Sequence, residues 1–254
     1  MGDEVELRQD GRLLVMTINR PEVRNAVDRA TSEALAAAMD MLDSSEELAV
    51  GILTGAGGTF CAGMDMKAFL RGERPEARGR GFAGVTEAPP SKPLVAAVEG
   101  WALAGGCELA LACDLIVASR KASFGLPEVR RGLIAGSGGL MRLPARVPRP
   151  IAMEYALTGE AMSATEAHRW GLVNRLSEPG RALEEAVALA TAIAANAPLA
   201  VRMTKRLVDE APGWPQDERW TRQRAALEEI LGSADAREGA AAFTERRPPR
   251  WQGR

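Results

Sequence analysis

The chain has 254 residues, of which 46% are apolar, so it can bury a large core in one large domain or in a domain with a small appendage. Its 32 basic and 34 acidic side chains give a net charge of −2, and no overall positive charge favours nucleic acid or a membrane surface. No apolar run approaches the roughly 20 residues of a membrane span, and the first residues are acidic where a secretion signal is basic. A cytoplasmic protein without nucleic-acid or membrane partners is expected.

Strands and helices alternate along the first 176 residues. Residues 5–9 and 12–19 have strand composition and flank Asp10-Gly11, a strong hairpin signal. A helix is predicted from about 28 to 43, because Leu35, Met39 and Leu42 recur at helical spacing. Further strands are predicted at 49–54, 94–98, 115–118 and 172–176, and a buried helix at 103–113. This alternation indicates an α/β fold.

Beyond about residue 179 the pattern is helical only. Helices are predicted at 181–195, 199–209, 215–231 and 235–244, separated by proline and glycine breaks. We therefore divide the chain into a core, residues 1–195, which carries the active site, and a helical C-terminal region, residues 196–254. Segment 71–90 is rich in glycine, proline and arginine without a sustained apolar period, and is predicted to be a mobile surface loop.

Two glutamates, Glu108 and Glu128, lie among small residues, apolar residues and glycines. A carboxylate in such surroundings is costly unless it is paired, hydrogen-bonded or kept for chemistry. Either one alone could equally cap a helix or pair with an arginine. Two of them in one stretch suggest a proton-transfer site.

Other chemistries lack their residues. The single histidine, His168, follows a helix capping box formed by Ser163 and Glu166, and no Gly-x-Ser-x-Gly elbow accompanies it, which argues against a Ser/His/Asp triad. Cys-x-x-Cys spacing is absent, so no metal site is predicted. The three cysteines lie in apolar runs typical of buried, reduced thiols. Cys107, beside Glu108, is interpreted as a packing residue rather than a nucleophile.

The sequence contains one apparent dinucleotide-binding motif and three further glycine clusters. Gly79-Arg-Gly-Phe-Ala-Gly84 matches the dinucleotide-binding fingerprint, but it neither follows a predicted strand nor precedes a predicted helix, so no nucleotide cofactor is expected. The clusters at 57–58, 105–106 and 136–139 either permit tight turns or aim backbone N–H groups at an anion. For Gly57-Gly58 the tight turn is favoured.

Five segments, in order and with matching spacing over almost the whole chain, resemble the enoyl-CoA hydratase/isomerase (crotonase) superfamily. They are Asn19-Arg-Pro-Glu-Val-Arg-Asn-Ala26, Gly58-Thr-Phe-Cys-Ala-Gly-Met-Asp65, Ala104-Gly-Gly-Cys-Glu108, Phe124-Gly-Leu-Pro-Glu128 and Phe243-Thr-Glu-Arg-Arg247. The resemblance implies a spiral of repeated ββα units with a helical C-terminal trimerisation region, assembled as homotrimers or hexamers. It also implies a coenzyme A thioester as substrate and no metal, nucleotide or redox cofactor.

By position in these motifs, the resemblance assigns roles to individual residues. The backbone N–H groups of Met64 and Gly105 would form an oxyanion hole for the thioester carbonyl. Glu108 would hold and deprotonate the attacking water, and Glu128 would deliver a proton to the α-carbon. The substrate would contact residues of the first two motifs and of the stretch after them, namely Arg24, Ala26, Ala62, Asp65, Met66 and Lys67. Arg24, Lys67, Arg71 and Lys92 are candidates for the coenzyme's phosphates, although solvated surface charge is the favoured interpretation of each one individually.

The resemblance leaves several activities open, because the fold alone does not set the reaction. Both glutamates are present and lie 20 positions apart, which favours an enoyl-CoA hydratase over isomerases, which often keep only one. Segments 137–144 and 243–254 also resemble carnitinyl-CoA dehydratases, the main alternative. Ala135 stands where many hydratases have proline. A non-catalytic binding or assembly relative is a further alternative, which the intact glutamates and oxyanion positions disfavour.

Overall fold

In the computed structural model, which describes residues 4–254, the chain forms eleven strands and ten α-helices. The strands are β1 (Val5–Asp10), β2 (Leu13–Ile18), β3 (Val50–Gly55), β4 (Glu76–Ala77), β5 (Gly81–Phe82), β6 (Leu94–Val98), β7 (Trp101–Leu103), β8 (Leu115–Ser119), β9 (Ser123–Gly125), β10 (Ala161–Ser163) and β11 (Arg175–Ser177). The helices are α1 (Arg29–Ser44), α2 (Met66–Leu70), α3 (Gly105–Ala112), α4 (Gly139–Arg146), α5 (Arg149–Thr158), α6 (Ala164–Arg169), α7 (Ala182–Ala194), α8 (Pro198–Glu210), α9 (Arg219–Leu231) and α10 (Ala234–Glu245).

A six-stranded sheet in the order β1-β2-β3-β6-β8-β11 forms the centre of the fold. Only the β1–β2 hairpin pairs antiparallel, and the other four pairings are parallel. Successive side chains point to opposite faces of a strand. Accordingly, Leu14 and Met16 of β2 join the core that contains α1, whereas Leu13 and Val15 join the core that contains α7. Because both faces are covered, the strands are nearly continuous apolar runs.

A smaller sheet, in the order β10-β9-β7, lies beyond the carboxyl ends of the central strands. β7 follows β6 after a two-residue turn and leads directly into α3, so that β6, β7 and α3 form one ββα unit. β8 and β9, followed by α4, repeat this order. The repeated ββα architecture predicted through the family resemblance is confirmed, and it brings the loops of successive units to one end of the central sheet.

Segment 71–90 differs from its prediction as a surface loop. It contains the β4–β5 hairpin, and Phe82, Ala83 and Val85 are buried in the main core. Gly84 lies so close to α1 that a Cβ atom there would stand 2.5 Å from the carbonyl oxygen of Ser32. The prediction was wrong because three apolar residues among glycines are too few to produce a periodic pattern, although they anchor the segment.

Element boundaries shift at several places. The predicted strand at 172–176 is β11 at Arg175–Ser177, because Leu172 and Val173 are buried in the turn that precedes it. The helix predicted at 103–113 is shorter, since Trp101–Leu103 forms β7 instead. The helix predicted from 215 begins at Arg219.

The four C-terminal helices are present as predicted, and they divide into two kinds. α7 packs on the central sheet through Ala186 and Ala190, whereas α8 to α10 follow it outside this core. Within residues 4–254, no single helix is long and apolar enough to cross a membrane. One pair, α7 with the segment 198–213, reaches that length and apolar content when taken together, but it is bent by 108°. A boundary at residue 195 falls between α7 and α8 and stays a prediction.

Candidate active site

Glu108 is held by backbone N–H groups rather than by an arginine. It lies in the first turn of α3, and only 3% of the residue's surface is exposed. Its Oε1 accepts hydrogen bonds from the N–H of Ser137 at 2.7 Å and of Gly139 at 2.9 Å. Both donors stand at the N-terminus of α4, where free N–H groups and the helix dipole favour negative charge. The glycine cluster 136–139 therefore binds an anion, and this anion is the protein's own Glu108.

Glu128 is positioned by a 3-10 turn, Pro127–Arg131, which follows β9. Pro127 opens the turn, and Gly132 closes it in the left-handed conformation, with φ of 69°. The Glu128 side chain is partly buried, and its Oε2 is fully buried without a hydrogen-bond partner among residues 4–254. A buried polar atom is costly to leave unpaired. The Glu128 carboxyl therefore has one oxygen free to bind a water molecule or a substrate group.

Burial and neighbouring charges shift the ionisation of both carboxyls. Burial raises the pKa of Glu108 above its ordinary value, against the lowering effect of the two N–H donors and of the Arg142 charge. Burial also raises the pKa of Glu128, and the negative charge of Glu108 raises it further. Burial, and then the charges of the same two glutamates, raise the pKa of the Cys107 thiol. Glu108 and Glu128 therefore belong to one site, where the charge of Glu108 favours the protonated form of Glu128.

Two free backbone N–H groups stand beside each other at this site. Val27 donates its N–H to the carbonyl of Gly63 and accepts from the N–H of Asp65, both at 2.8 Å, so the intervening Met64 N–H is not part of this pairing. Neither the Met64 N–H nor the Gly105 N–H has an acceptor in the part of the chain that the structure describes. A Cβ atom on Gly63 would stand 3.1 Å from the Gly105 nitrogen, which shows how closely the two segments approach.

Close packing explains the glycines around the second donor. A Cβ atom on Gly105 would stand 2.5 Å from Cζ of Phe82, and one on Gly106 would stand 2.1 Å from the carbonyl oxygen of Cys61. Real side chains do not tolerate such distances. Ala104, just before Gly105, has φ of 52° and ψ of −129°, a conformation that is costly for a residue with a side chain. The backbone is therefore strained at the residue that orients the Gly105 N–H.

The segment 24–26 lies beside the segment 62–64, which carries the Met64 N–H. The Ala62 N–H donates to the carbonyl of Arg24 at 3.0 Å, and Ala26 is buried. The Asn25 side chain is completely buried and donates to two backbone carbonyls of the loop after β3, at 2.8 and 2.6 Å. The Arg24 guanidinium lies 4.8 Å from the ring centre of Trp101 and is exposed. The structure thus brings together Arg24, Ala26 and Ala62, three of the predicted substrate-binding residues.

The remaining predicted substrate-binding residues lie at the start of α2, and they divide by exposure. Asp65 is buried: its carboxylate accepts from the N–H groups of the first turn of α2 and pairs with Arg20 at 3.0 Å. Arg20 also pairs with Asp28, which caps α1. Burial raises the pKa of Asp65, but these hydrogen bonds outweigh it and the pKa lies below its usual value. The Asp65 carboxylate is thus engaged in structure, while the side chains of Met66 and Lys67 are exposed.

Two of the four candidates for the coenzyme's phosphates are engaged elsewhere. Lys92 is buried, and its Nζ donates to the carbonyl of Leu42 at 2.8 Å and to that of Ser45. The suggestion that Lys92 meets a phosphate is therefore wrong, because the lysine closes the C-terminal end of α1. Arg71 pairs with Glu73 at 2.8 Å on the surface. Arg24 and Lys67 are exposed and remain candidates for binding the phosphates.

Residues interpreted from the sequence as structural are found in structural positions. Cys107 is buried like the two other cysteines. The predicted capping box is half formed: the Ser163 hydroxyl accepts from the Glu166 N–H at 3.2 Å, whereas the Glu166 carboxylate binds the hydroxyl of Tyr155. Nδ1 of His168 lies 2.9 Å from the carbonyl oxygen of Val173, within its own helix–turn segment.

Sequence reasoning missed the residues that support the site. Arg20 joins Asp28 to Asp65, and Arg142 donates to the carbonyl of Thr86 at 2.5 Å and to that of Ser137 at 3.3 Å. The Arg20–Asp65 and Arg142–Thr86 contacts connect positions 45 and 56 residues apart, so no local pattern marks them. The only available signal was an arginine that falls between apolar residues of α4.

The sequence and the fold are similar to those of known proteins. A family model described as enoyl-CoA hydratase/isomerase matches residues 8–254. A solved enoyl-CoA hydratase from Mycobacterium marinum is 60% identical with a TM-score of 0.98, and a solved carnitinyl-CoA hydratase from Mycobacterium avium is 44% identical with a TM-score of 0.79. A carnitinyl-CoA dehydratase from Salmonella typhi is 42% identical. All three similarities cover 100% of both chains. The chain belongs to the enoyl-CoA hydratase/isomerase family.

Proposed function

We propose that the protein is an enoyl-CoA hydratase, which reversibly adds water across the double bond of a 2-enoyl-CoA thioester to give a 3-hydroxyacyl-CoA. The observation that carries this proposal is the combination of two carboxyls, whose pKa burial raises, with two free backbone N–H groups at one site. Water addition requires a group that activates water, a group that protonates carbon and a stabiliser of the negative charge that develops on the thioester oxygen. The site has one candidate for each requirement.

The oxyanion donors provide electrostatic stabilisation. The thioester carbonyl would accept hydrogen bonds from the N–H groups of Met64 and Gly105. When water attacks the β-carbon, the C=C π electrons move toward the carbonyl oxygen and form an enolate. Each donor aimed at that oxygen contributes about 3 kcal/mol to transition-state stabilisation, and no side chain is required for it.

The glutamates divide the transfer of protons. Glu108 would accept a proton from the attacking water as the new C–O bond forms at the β-carbon. Glu128 would give its proton to the α-carbon as the enolate collapses to the thioester, and the two roles exchange in dehydration. Burial raises the pKa of both carboxyls, and the charge of Glu108 further favours the protonated form of Glu128. A pair with Glu108 ionised and Glu128 protonated has both the base and the acid that the reaction needs.

The reaction written in this way uses no metal, nucleotide or redox cofactor. We propose that the protein acts without one, and that coenzyme A enters only as part of the substrate. Dialysis against a chelator should leave the hydration rate unchanged. A rate that falls after dialysis and returns with an added metal ion would contradict this part of the proposal.

A carnitinyl-CoA dehydratase activity is the second candidate, favoured by the similarity to the Salmonella typhi protein. The enoyl-CoA hydratase from Mycobacterium marinum is more similar in sequence and in fold than the carnitinyl-CoA hydratase from Mycobacterium avium, which supports the first candidate. Both reactions are hydro-lyase reactions on a coenzyme A thioester, so the catalytic groups would be the same.

The deciding experiment follows the loss of the conjugated enoyl-thioester absorbance with short-, medium- and long-chain 2-enoyl-CoA and with crotonobetainyl-CoA. The first candidate predicts the highest kcat/KM with an unbranched enoyl-CoA. A preference for crotonobetainyl-CoA would favour the second candidate. No turnover with any of these thioesters would defeat both and revive a non-catalytic role.

We also propose assembly into homotrimers or hexamers. The C-terminal helices expose large apolar side chains, among them Trp220, Leu231 and Phe243, with exposed fractions of 67%, 56% and 87%. Exposed apolar groups of this kind are typical of subunit interfaces. Light scattering coupled to size exclusion should give three or six times the mass of one chain, and the mass of a single chain would contradict the proposal.

A further inference from the structure

Arg142 connects two loops that hold opposite parts of the site. It lies in α4 and is partly buried. One nitrogen of its guanidinium donates to the carbonyl of Thr86 at 2.5 Å, and another donates to the carbonyl of Ser137 at 3.3 Å. The N–H of Ser137 in turn donates to Glu108 at 2.7 Å. A single residue therefore separates Arg142 from the carboxylate proposed as the base.

The Thr86 end of this connection leads to the oxyanion hole. Thr86 is buried and belongs to the segment that carries Phe82, whose ring lies against Gly105. Arg142 thus joins the segment that packs on one oxyanion donor to the loop that holds Glu108. The two contacts are made by two different nitrogens of the guanidinium, whereas all donors of a lysine at this position would share one nitrogen.

The charge of Arg142 also acts on Glu108. The N–H groups of Gly139 and Ser137, the Arg142 guanidinium and the Ser137 side chain lower the pKa of Glu108, and the charge of Glu108 raises the pKa of Cys107 and of Glu128. Arg142 lowers the pKa of Glu108, whereas the positive charge that lowers the pKa of Glu128 comes from Arg131. Burial lowers the pKa of Arg142, but a guanidinium remains charged at any pH of interest. The effect of Arg142 is therefore selective for one of the two carboxyls.

We propose that Arg142 is a positioning residue for the reaction, which braces the segment 82–86, packed on Gly105, against the loop 136–139 that holds Glu108. This proposal rests on the proposed hydratase function. It assigns to Arg142 two separable effects. The hydrogen bonds position the two segments, and the positive charge favours the ionised form of Glu108.

The test compares Arg142→Gln, which removes the charge, with Arg142→Lys, which keeps it, through the pH dependence of kcat/KM. With Glu108 as the base, activity rises with pH as Glu108 loses its proton, and it falls again when Glu128 does. Arg142→Gln should move the rising limb to higher pH, leave the falling limb nearly in place and lower the maximum by about tenfold or more, since charge-assisted hydrogen bonds are lost. Arg142→Lys should keep the rising limb in its wild-type position with a lowered maximum.

Arg146→Gln is the matched control, because Arg146 is a second partly buried arginine of the same helix that donates to the carbonyl of Cys113 and not to the Glu108 loop. Its rising limb should stay at the wild-type pH. Equal limb positions in wild type, Arg142→Gln and Arg142→Lys would overturn the proposal, and so would an equal shift in Arg142→Gln and Arg146→Gln. Should Arg142→Gln not fold, Arg142→Lys must still show a lowered maximum with an unmoved limb. An inactive wild-type protein would defeat the hydratase proposal instead, so the two failures are distinguishable.

Discussion

Glu108 and Glu128 share one site but differ in what their oxygens contact. Oε1 of Glu108 accepts two backbone N–H groups, whereas Oε2 of Glu128 is buried without a partner in the described part of the chain. The first carboxylate is thus fixed in place, and the second has an oxygen free for a water molecule or a substrate. Because Glu128 lacks a partner, its replacement should affect stability in a way that depends on pH.

Replacing Glu128 by glutamine should increase the free energy of unfolding at neutral and higher pH. The pKa of Glu128 is raised in the folded protein by burial and by Glu108, so the folded state binds the proton more tightly than the unfolded state. Glu128 therefore costs stability progressively as pH rises from its unfolded-state pKa to its folded-state pKa. Urea unfolding should show little difference between wild type and variant near pH 4 and a widening advantage of the variant up to pH 8.

The exposed Glu47 provides the control for this measurement. The difference in the free energy of unfolding between Glu47→Gln and wild type should stay nearly constant over the same pH range. A Glu128→Gln variant that is less stable than wild type at pH 8 would show that the carboxylate has a stabilising partner in solution, contrary to the geometry.

Replacing Gly105 by alanine should lower kcat by about 100-fold or more, the typical loss for one oxyanion donor. The new Cβ atom would stand 2.5 Å from Cζ of Phe82, so either the ring or the N–H must move. Combining the change with Phe82→Leu should recover part of the rate. Gly213→Ala, at a glycine with open space around it, should leave kcat unchanged. A Gly105→Ala enzyme with wild-type kcat would exclude this N–H from the reaction.

The sequence predicted the central part of the site better than its surroundings. Glu108, Glu128, Met64 and Gly105 could be assigned because ordered motifs mark them, and the structure brings these four residues to one end of the sheet. The contacts of Arg142 could not be predicted, since they depend on how distant loops meet.

In the fold, too, features with a local sequence pattern were predictable and features that depend on tertiary packing were not. The parallel strands were predictable because burial on both faces makes them continuous apolar runs. The burial of Phe82 was not, because it depends on tertiary packing against α1 and Gly105 rather than on a local period. Lys92 was misjudged for a related reason: a lone lysine before a strand does not reveal that carbonyl groups of another helix end will bind it.

Asp65 should matter more for positioning than for contact with substrate. Asp65→Ala removes the cap of α2 and leaves Arg20 with one carboxylate fewer, and we expect a loss of about 1–2 kcal/mol in stability together with a lowered kcat, since Met64 immediately precedes the cap. Asp65→Asn keeps the cap, so its stability and its kcat should lie between those of Asp65→Ala and those of wild type. If Asp65→Ala raises KM alone and leaves kcat and stability intact, the carboxylate contacts substrate instead.

The ion pair between Lys205 and Asp114 should hold α8 against the core. Lys205 Nζ lies 2.7 Å from Asp114 Oδ2, and both side chains are largely buried. Lys205→Met should lower the free energy of unfolding by about 3 kcal/mol, because it leaves a buried carboxylate without its cation. Burial already raises the pKa of Asp114 against the effect of this lysine.

The double variant Lys205→Met/Asp114→Asn should be less destabilised than Lys205→Met alone, since no charge remains buried. Urea unfolding provides these comparisons, and kcat of the folded fraction should stay near wild type because the pair lies away from Glu108. Equal losses in the single and double variants would show that packing of the lysine stem, and not the charge, holds α8.

The central claim is that the carboxyls of Glu108 and Glu128 both transfer protons during water addition. It is tested most directly by measuring kcat for hydration of a 2-enoyl-CoA by wild type, Glu108→Gln and Glu128→Gln, with thioester binding measured in parallel by calorimetry. The account predicts that each variant binds the thioester with nearly wild-type affinity and loses about two to four decades in kcat. A wild-type rate in either variant, with binding intact, would contradict it.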